Sequence, residues 1–400
     1  QGLNFKQVSA TARQEVDTSF LHLAGLDSMI APAAGTARET ISQVEISMVL
    51  DVSGSMAEGS KMPNLKAAAK DFVDAVKGTA SPGAGADTSI SIVPFTTQVN
   101  AGADLLEHFT IWNPHGWSHC IDFAEADYST TAISPTTPLK QATWFDPLSD
   151  DFPPEPDWWD AEALCSNQNP ILPVSGSVSQ LKASIDAFTP TDWTSIEIGT
   201  KWGAALLDPS LQPVVTEMIA EGDVPSSFAG RPYAYNTQNV LKVLIVMSDG
   251  ANTYHWEMKP EFAWGDSWIY RRTDTDHRYT LYNNNSGSYD YYRVSTGYWH
   301  TSPDGGWSRS ERLTWPEVWR EMRLRYHSDR VVYPASGWST WWRDYFRWNV
   351  YDLYEAPAKD VRTSAICTAA KNQGIIIFTI GFETDAAGDA TLRDCASSSA

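Results

Sequence analysis

The sequence predicts an α/β fold built on a doubly wound, mostly parallel sheet, and three observations carry that expectation. Segments at residues 44–51, 241–247 and 375–380 are apolar almost throughout, as strands buried on both faces of a parallel sheet are. Stretches of helical period separate them, the alternation expected of α/β folds. The first two strands run into an aspartate, Asp51 and Asp249. In such sheets ligands bind outside the carboxyl ends of strands, so both carboxylates fall where a site belongs.

Taken in order, Phe5, Val8, Ala10, Val16 and Phe20 alternate loosely with polar residues, which predicts a small β-rich preface over residues 1–43. The main domain then occupies 44–400. After the strand at 44–51, Met62, Leu65, Ala69, Phe72, Val73 and Val76 share one helical face, and Gly78 closes that helix. A second strand at 89–93 is expected to end at Pro94, and a helix over 195–207 to stop before Pro209. Following the strand at 241–247, a helix at 359–371 ends near Gly374 and leads into a last buried strand at 375–380.

Two stretches, about 101–190 and about 251–357, lack this alternation and read as insertions on the edge that carries the site. The second holds 26 of the 48 aromatic residues, 11 of them tryptophan. So aromatic a segment is no linker; it must fold on its own ring core or present rings outward. Thr314 and Glu317 form a capping box, and Trp315, Val318, Trp319, Met322 and Tyr326 follow at helical spacing. Residues 282–292, with Asn283, Asn284, Asn285 and Gly287, read as a turn between short strands.

Composition narrows the function. A formal net charge of −20 over 400 residues argues against a nucleic-acid partner, which requires clustered Lys and Arg. No apolar run reaches the roughly 18 residues that a membrane span needs. The chain opens at Gln1 without a methionine, so a signal or membrane anchor upstream of Gln1 is expected. Cys120 with Cys165 and Cys367 with Cys395 each fall within one region, which predicts two local disulfides and an oxidising compartment.

Chemistry concentrates at Asp51-Val52-Ser53-Gly54-Ser55, a carboxylate and two hydroxyls on a tight loop after a buried strand. The same pattern also describes a merely capped turn. Its placement before a helix, and the second strand ending in Ser248-Asp249-Gly250, favour a metal site. Thr194, at the mouth of a loop leading into a helix, would add a third hydroxyl. Oxygen donors without His or thiolate select a hard cation, Mg²⁺ first and Ca²⁺ or Mn²⁺ next. Two carboxylates and three hydroxyls leave a coordination position open to an outside carboxylate.

Binding is therefore expected rather than catalysis. No Gly-x-Ser-x-Gly elbow or phosphate-cradling loop is present. A hydrolase with Asp249 or Asp192 as base is disfavoured, with no His or Lys expected nearby. His108, His115 and His119 precede Cys120 and read as loop histidines beside a disulfide. Asp150, Asp151, Glu155, Asp157 and Asp160 around Trp158 and Trp159 read as a solvated acidic loop, and Asp385 and Asp389 as an exposed turn.

Val-Leu-Asp-Val-Ser-Gly-Ser-Met at residues 49–56 resembles the von Willebrand factor A signature. That resemblance implies a Rossmann-like fold and a metal-ion-dependent adhesion site of Asp51, Ser53, Ser55, Thr194 and Asp249. A finer likeness is to the TadG-like proteins of bacterial tight-adherence (Flp) pilus assembly. It rests on Val-Pro-Phe with Val99 and Asn100, Gly199 and Trp202-Gly203-Ala204-Ala205-Leu206-Leu207 after Thr194, Met247-Ser248-Asp249-Gly250, and the closing Cys367, Gly374-Ile375, Ile380-Gly381-Phe382 and Cys395. It implies an exported protein of the periplasm or cell surface that engages an Asp or Glu of a pilus component or receptor. Asp192 departs from this family, standing where glycine is usual, and would place a third carboxylate near the cation to tune it. The aromatic insertion is also larger than the resemblance implies, which makes a glycan-binding adhesin with a structural metal the alternative.

Overall fold

The computed structural model describes residues 5–17, 28–40, 43–78, 88–112, 114–116, 118–143, 168–284 and 289–398. At the amino terminus β1 (Phe5–Asp17) pairs antiparallel with β2 (Ser28–Thr40) over 13 residues of each strand. The main sheet is built from β3 (Gln43–Asp51), β4 (Thr88–Phe95), β8 (Leu172–Ser175), β9 (Val240–Ser248) and β17 (Ile376–Gly381), in the order β17-β9-β3-β4-β8. Its first four strands are parallel and β8 is antiparallel.

Alternation along β3 divides the core in two, because successive side chains point to opposite faces. Ile46, Met48 and Leu50 pack against Met62, Leu65 and Val73 of α1 (Lys61–Gly78) and Leu181 and Ile185 of α2 (Val178–Asp186). Val49, with Val93, Leu244 and Val246, meets Ile198 and Trp202 of α3 (Ile196–Ala205). Ile366 and Ala370 of α7 (Ala356–Asn372) cover the same face. Helices thus bury both faces of the sheet's central strands. Among the described residues no helix is long and apolar enough to cross a membrane.

The structure corrects three expectations about elements. β4 runs through Pro94 to Phe95 instead of ending before the proline. The Phe95 carbonyl faces β3, accepting from Val52 N at 2.9 Å, so the nitrogen of Pro94 faces the other way. On that side the pairing with β8 has already ended at Ile92, and the missing N–H breaks no ladder bond. The last strand, β17, is buried on one face only, through Ile377. It is the sheet edge, and Ile376, Phe378 and Ile380 are exposed on one face. The stretch expected as an insertion over about 101–190 surrenders its end to the main domain, since β8 joins the sheet and α2 packs in its core. A four-residue strand containing proline carries too little periodicity to be read from sequence.

What remains of the first insertion holds β5 (Ile111–Trp112), β6 (Ile121–Asp122) and β7 (Leu139–Gln141) in one small sheet. Cys120 is fully buried; Cys165 and the acidic segment around Trp158 and Trp159 lie outside the described residues. α4 (Gln212–Glu221) follows α3.

The second insertion is closed at its neck by β10 (His255–Met258) pairing with β16 (Tyr351–Tyr354), where His255 stacks on Tyr354. Beyond the neck stands an antiparallel sheet in the order β14-β13-β12-β11-β15, formed by β11 (Asp266–Arg272), β12 (Tyr279–Tyr282), β13 (Tyr291–Arg293), β14 (Tyr298–His300) and β15 (Ser310–Thr314). The Tyr282↔Tyr291 pairing closes the expected turn. Thr314 caps α5 (Trp315–Glu321), its backbone N–H donating to Glu317 at 2.7 Å. The helix ends sooner than its pattern predicts, because Met322 is extended. Both readings of the rings hold. Phe262, Ile269, Trp315, Trp319 and Phe346 form a separate core, while Trp338, Trp341, Trp342 and Trp348 on and near α6 (Thr340–Trp348) are exposed. Cys367 and Cys395 are bonded and tie α7 to α8 (Ala386–Cys395). Asp385 caps α8 by accepting from Gly388 N at 2.7 Å.

Candidate metal centre

Parallel register sets the site. Leu50 lies opposite Met247 and Asp51 opposite Phe95, so the last residue of β3 sits beside Ser248 at the end of β9. Two strands almost 200 residues apart thereby deliver their terminal carboxylates to one crevice. The Asp51 carboxylate is fully buried; Oδ1 accepts from Ser53 N at 2.8 Å and Oδ2 from the Ser248 hydroxyl at 2.6 Å. Ser53 Oγ lies 3.1 Å from Ser55 Oγ, which donates to Asp249 Oδ1 at 2.9 Å. Asp51, Ser53, Ser55 and Asp249 form one continuous hydrogen-bonded group.

Thr194 is held alongside by its backbone. Its N–H donates to Thr253 Oγ1 at 2.8 Å, and its carbonyl accepts from Thr253 N at 3.1 Å. The surrounding loop is pinned to the metal loop, with Thr191 N donating to Val52 O at 2.9 Å and Gly54 N to Asp192 O at 2.8 Å. A Cβ at Gly54 would stand 3.0 Å from that Asp192 oxygen, so a larger residue would have to push the two loops apart by a few tenths of an ångström. The Thr194 side chain is buried but hydrogen-bonds to none of the other four residues. Asp192 has φ +59°, a left-handed conformation that glycine adopts freely, and its backbone carbonyl joins the loop.

Several participants carry no sequence signal. Lys61, the first residue of α1, places its ammonium 2.9 Å from Asp249 Oδ2 and 3.4 Å from Glu58. This corrects the expectation that no lysine lies near the site. The bond to Asp249 raises the Lys61 pKa, so the group stays a cation and supplies no general base. Lys359 of α7, wholly buried, donates to Thr194 O at 2.6 Å and Ser195 Oγ at 2.7 Å. Asn252 Oδ1 accepts from Ile196 N at 2.7 Å and so caps α3. In sequence Lys359 and Asn252 look like a solvated helix residue and a loop residue. On the rim, Trp193 packs edgewise on Tyr254 and Trp256, whose rings are tilted 39° to each other, with centroids 5.6 to 6.0 Å apart; Trp193 and Tyr254 are exposed.

Electrostatically the centre calls for a positive charge. Burial pushes the Asp51 carboxyl up to about 6, with Asp249 adding to the rise and the Ser248 and Ser53 donors opposing it. Behind the site burial likewise raises Glu197 to about 7 beside Lys359. The donor set is all oxygen, two carboxylates and two hydroxyls in mutual contact, which fits a hard divalent cation in place of, or alongside, the Lys61 ammonium. The three histidines before Cys120 do not converge: His108 turns to Glu217 and Glu221, whereas burial lowers His115 to about 4, with neighbouring His119 adding to the shift.

No family model matches the chain, and no curated protein matches it. Solved structures similar to it are pilus proteins. The vWF domain of the type V pili tip protein Mfa5 from Porphyromonas gingivalis is 14% identical, TM-score 0.33, with 89% of this chain and 87% of that one covered. The pilus adhesin SpaC from Lactobacillus rhamnosus GG is 13% identical, TM-score 0.35, and this chain covers 31% of its length with 98% of its own. The adhesive tip pilin GBS104 from Group B Streptococcus agalactiae is 11% identical, TM-score 0.32, with 89% and 93% covered. At such identities and scores the likeness transfers no property to this chain. Its own geometry must carry the functional reading.

Proposed function

We propose that this protein is a metal-dependent adhesion protein of von Willebrand factor A type. Asp51, Ser53, Ser55 and Asp249, with Thr194 completing or tuning the set, hold Mg²⁺, or alternatively Ca²⁺ or Mn²⁺. A bound cation supplies an electrophilic position that an Asp or Glu of a protein partner completes. The observation that carries this reading is the continuous Asp51–Ser53–Ser55–Asp249 group, whose two carboxylates sit at adjoining strand ends, both buried. The Trp193, Tyr254 and Trp256 rings at its rim offer apolar contact to the residues flanking the partner's carboxylate. The motif resemblance supports an exported bacterial setting, in the periplasm or at the cell surface, in tight-adherence pilus assembly or attachment, and a binding role rather than an enzymatic one.

The test is the melting temperature in Mg²⁺, Ca²⁺, Mn²⁺ or EDTA for wild type and Asp51→Ala, since a cation held only by the folded state raises it. A cation-dependent rise that disappears in Asp51→Ala is expected. An identical melting temperature in all four conditions for wild type would sink the proposal.

A glycan-binding role for the insertion has its own observation. A groove of about 590 Å³ is lined by Trp268, Trp342 and Tyr282 together with Asn283, Asn284 and Ser336, rings for stacking on sugar faces beside amides and a hydroxyl for their hydroxyl groups. Sugar binding that persists in Asp51→Ala and vanishes in Trp342→Ala would establish it.

A further inference from the structure

We propose a second cation site, independent of the Asp51 centre, in which the His108 imidazole and the Glu107 and Glu221 carboxylates hold a transition metal of the Zn²⁺ or Co²⁺ type. One potential ligand atom from each of these residues lies within 4.8 Å of the other two, the span of an inner coordination shell. The imidazole side chain is only 4% exposed. Its Nδ1 lies 3.1 Å from Glu217 Oε2, an acceptor, so in the neutral imidazole Nδ1 carries the proton and Nε2 presents its lone pair. That Nε2 is buried without a hydrogen bond, although Glu221 Oε2 stands 3.3 Å away. In that tautomer two acceptors face each other, and a second proton or a metal ion is needed between them.

Charge favours a divalent ion over a proton. Glu217 and Glu221 stand four residues apart at the carboxyl end of α4, where the helix dipole disfavours acids and the last turn has no basic residue. Among the described residues Glu107, Glu217 and Glu221 form no ion pair with Lys or Arg. A single proton on His108 would leave three carboxylates with one positive charge. One nitrogen and two oxygen donors suit a borderline cation better than Mg²⁺, which separates this site from the all-oxygen Asp51 centre. Glu217 plays the orienting part, fixing the tautomer of a metal-bound histidine through its far nitrogen. The metal would clasp the short helical segment 103–109 to α4 from outside, while Phe109 packs on Trp202 within.

The experiment uses the full chain carrying Asp51→Ala, so that the first centre cannot contribute. Titration with Zn²⁺ followed by calorimetry, and with Co²⁺ followed by its visible absorption, should give one ion per chain and a raised melting temperature. His108→Gln should abolish the binding, and so should Glu221→Gln, whose half-exposed side chain can be replaced without disturbing the core. Glu217→Gln should keep the stoichiometry but weaken affinity about tenfold or more. Absence of stoichiometric binding in the Asp51→Ala chain overturns the proposal, as does binding that survives both His108→Gln and Glu221→Gln. A doubly protonated His108 imidazole at pH 7 in the presence of saturating Zn²⁺, seen by NMR, would show that a proton alone bridges the glutamates and overturn it equally.

Discussion

Asp51 carries a conflict between folding and binding. Its carboxyl is raised by burial from 3.8 to about 6, so without a cation the folded state holds its proton more tightly than the unfolded chain does. Stability from this group is therefore fully present below about pH 4 and lost as pH rises through about 6, a loss on the order of 3 kcal/mol. Above that range a cation bound as proposed would offset the loss. Two outcomes follow for Asp51→Asn, which keeps the shape and removes the charge. In EDTA at pH 7.5 or so its melting temperature should exceed that of wild type, and its response to Mg²⁺ should vanish. In wild type the Mg²⁺-dependent rise should shrink as pH falls through about 6. A denaturation series across pH with and without EDTA reads both, and an Asp51→Asn protein less stable than wild type in EDTA would contradict the assignment of burial as the dominant influence.

Among the elements, α3 most constrains the centre, because it begins at Ile196, directly after Thr194 and Ser195, and lies directly on the sheet. A Cβ at Gly203 would fall 2.3 Å from Val49 Cγ2 and 2.8 Å from Leu244 Cδ1, both on central strands. Gly203→Ala should thus push the helix off the sheet and cost about 1–3 kcal/mol, read as a lower urea midpoint with an unchanged slope. Cation affinity should fall with it, since the same helix positions Thr194. The elements legible in the sequence were those with long, unambiguous periods, β3, α1, β9 and α7. β8 escaped because four residues with a proline carry no period, and β17 was misjudged because an apolar strand reads alike at the centre of a sheet and at its edge.

The molecule as a whole contains two kinds of core. The sheet domain buries aliphatic side chains on its two faces, and the insertion buries rings in a cluster of its own beyond the β10–β16 neck. Trp319 anchors that cluster, stacked on Trp315 at 5.3 Å and donating its indole N–H to Phe262 O at 2.7 Å. Trp319→Ala should cost about 3–5 kcal/mol within the insertion. The cation-dependent rise in melting temperature should persist, because the metal loop belongs to the other core. Loss of that rise in a protein that still shows the far-ultraviolet dichroism of a folded sheet domain would mean that insertion and centre unfold as one unit.

Composition and order along the chain were enough for the α/β class, the aspartates at two strand ends, the Asp51-Val52-Ser53-Gly54-Ser55 loop and the aromatic insertion, because each is written in local periodicity or in a short spacing. The meeting of Ser248 with Asp51, of Lys61 with Asp249 and of Lys359 with Thr194 was not readable there. Neither was the turn of His108 away from its neighbouring histidines toward Glu217 and Glu221. Such contacts depend on strand register and helix placement between segments up to about 200 residues apart, and a shift of one residue in the β3–β9 pairing would by itself turn Ser248 away from Asp51.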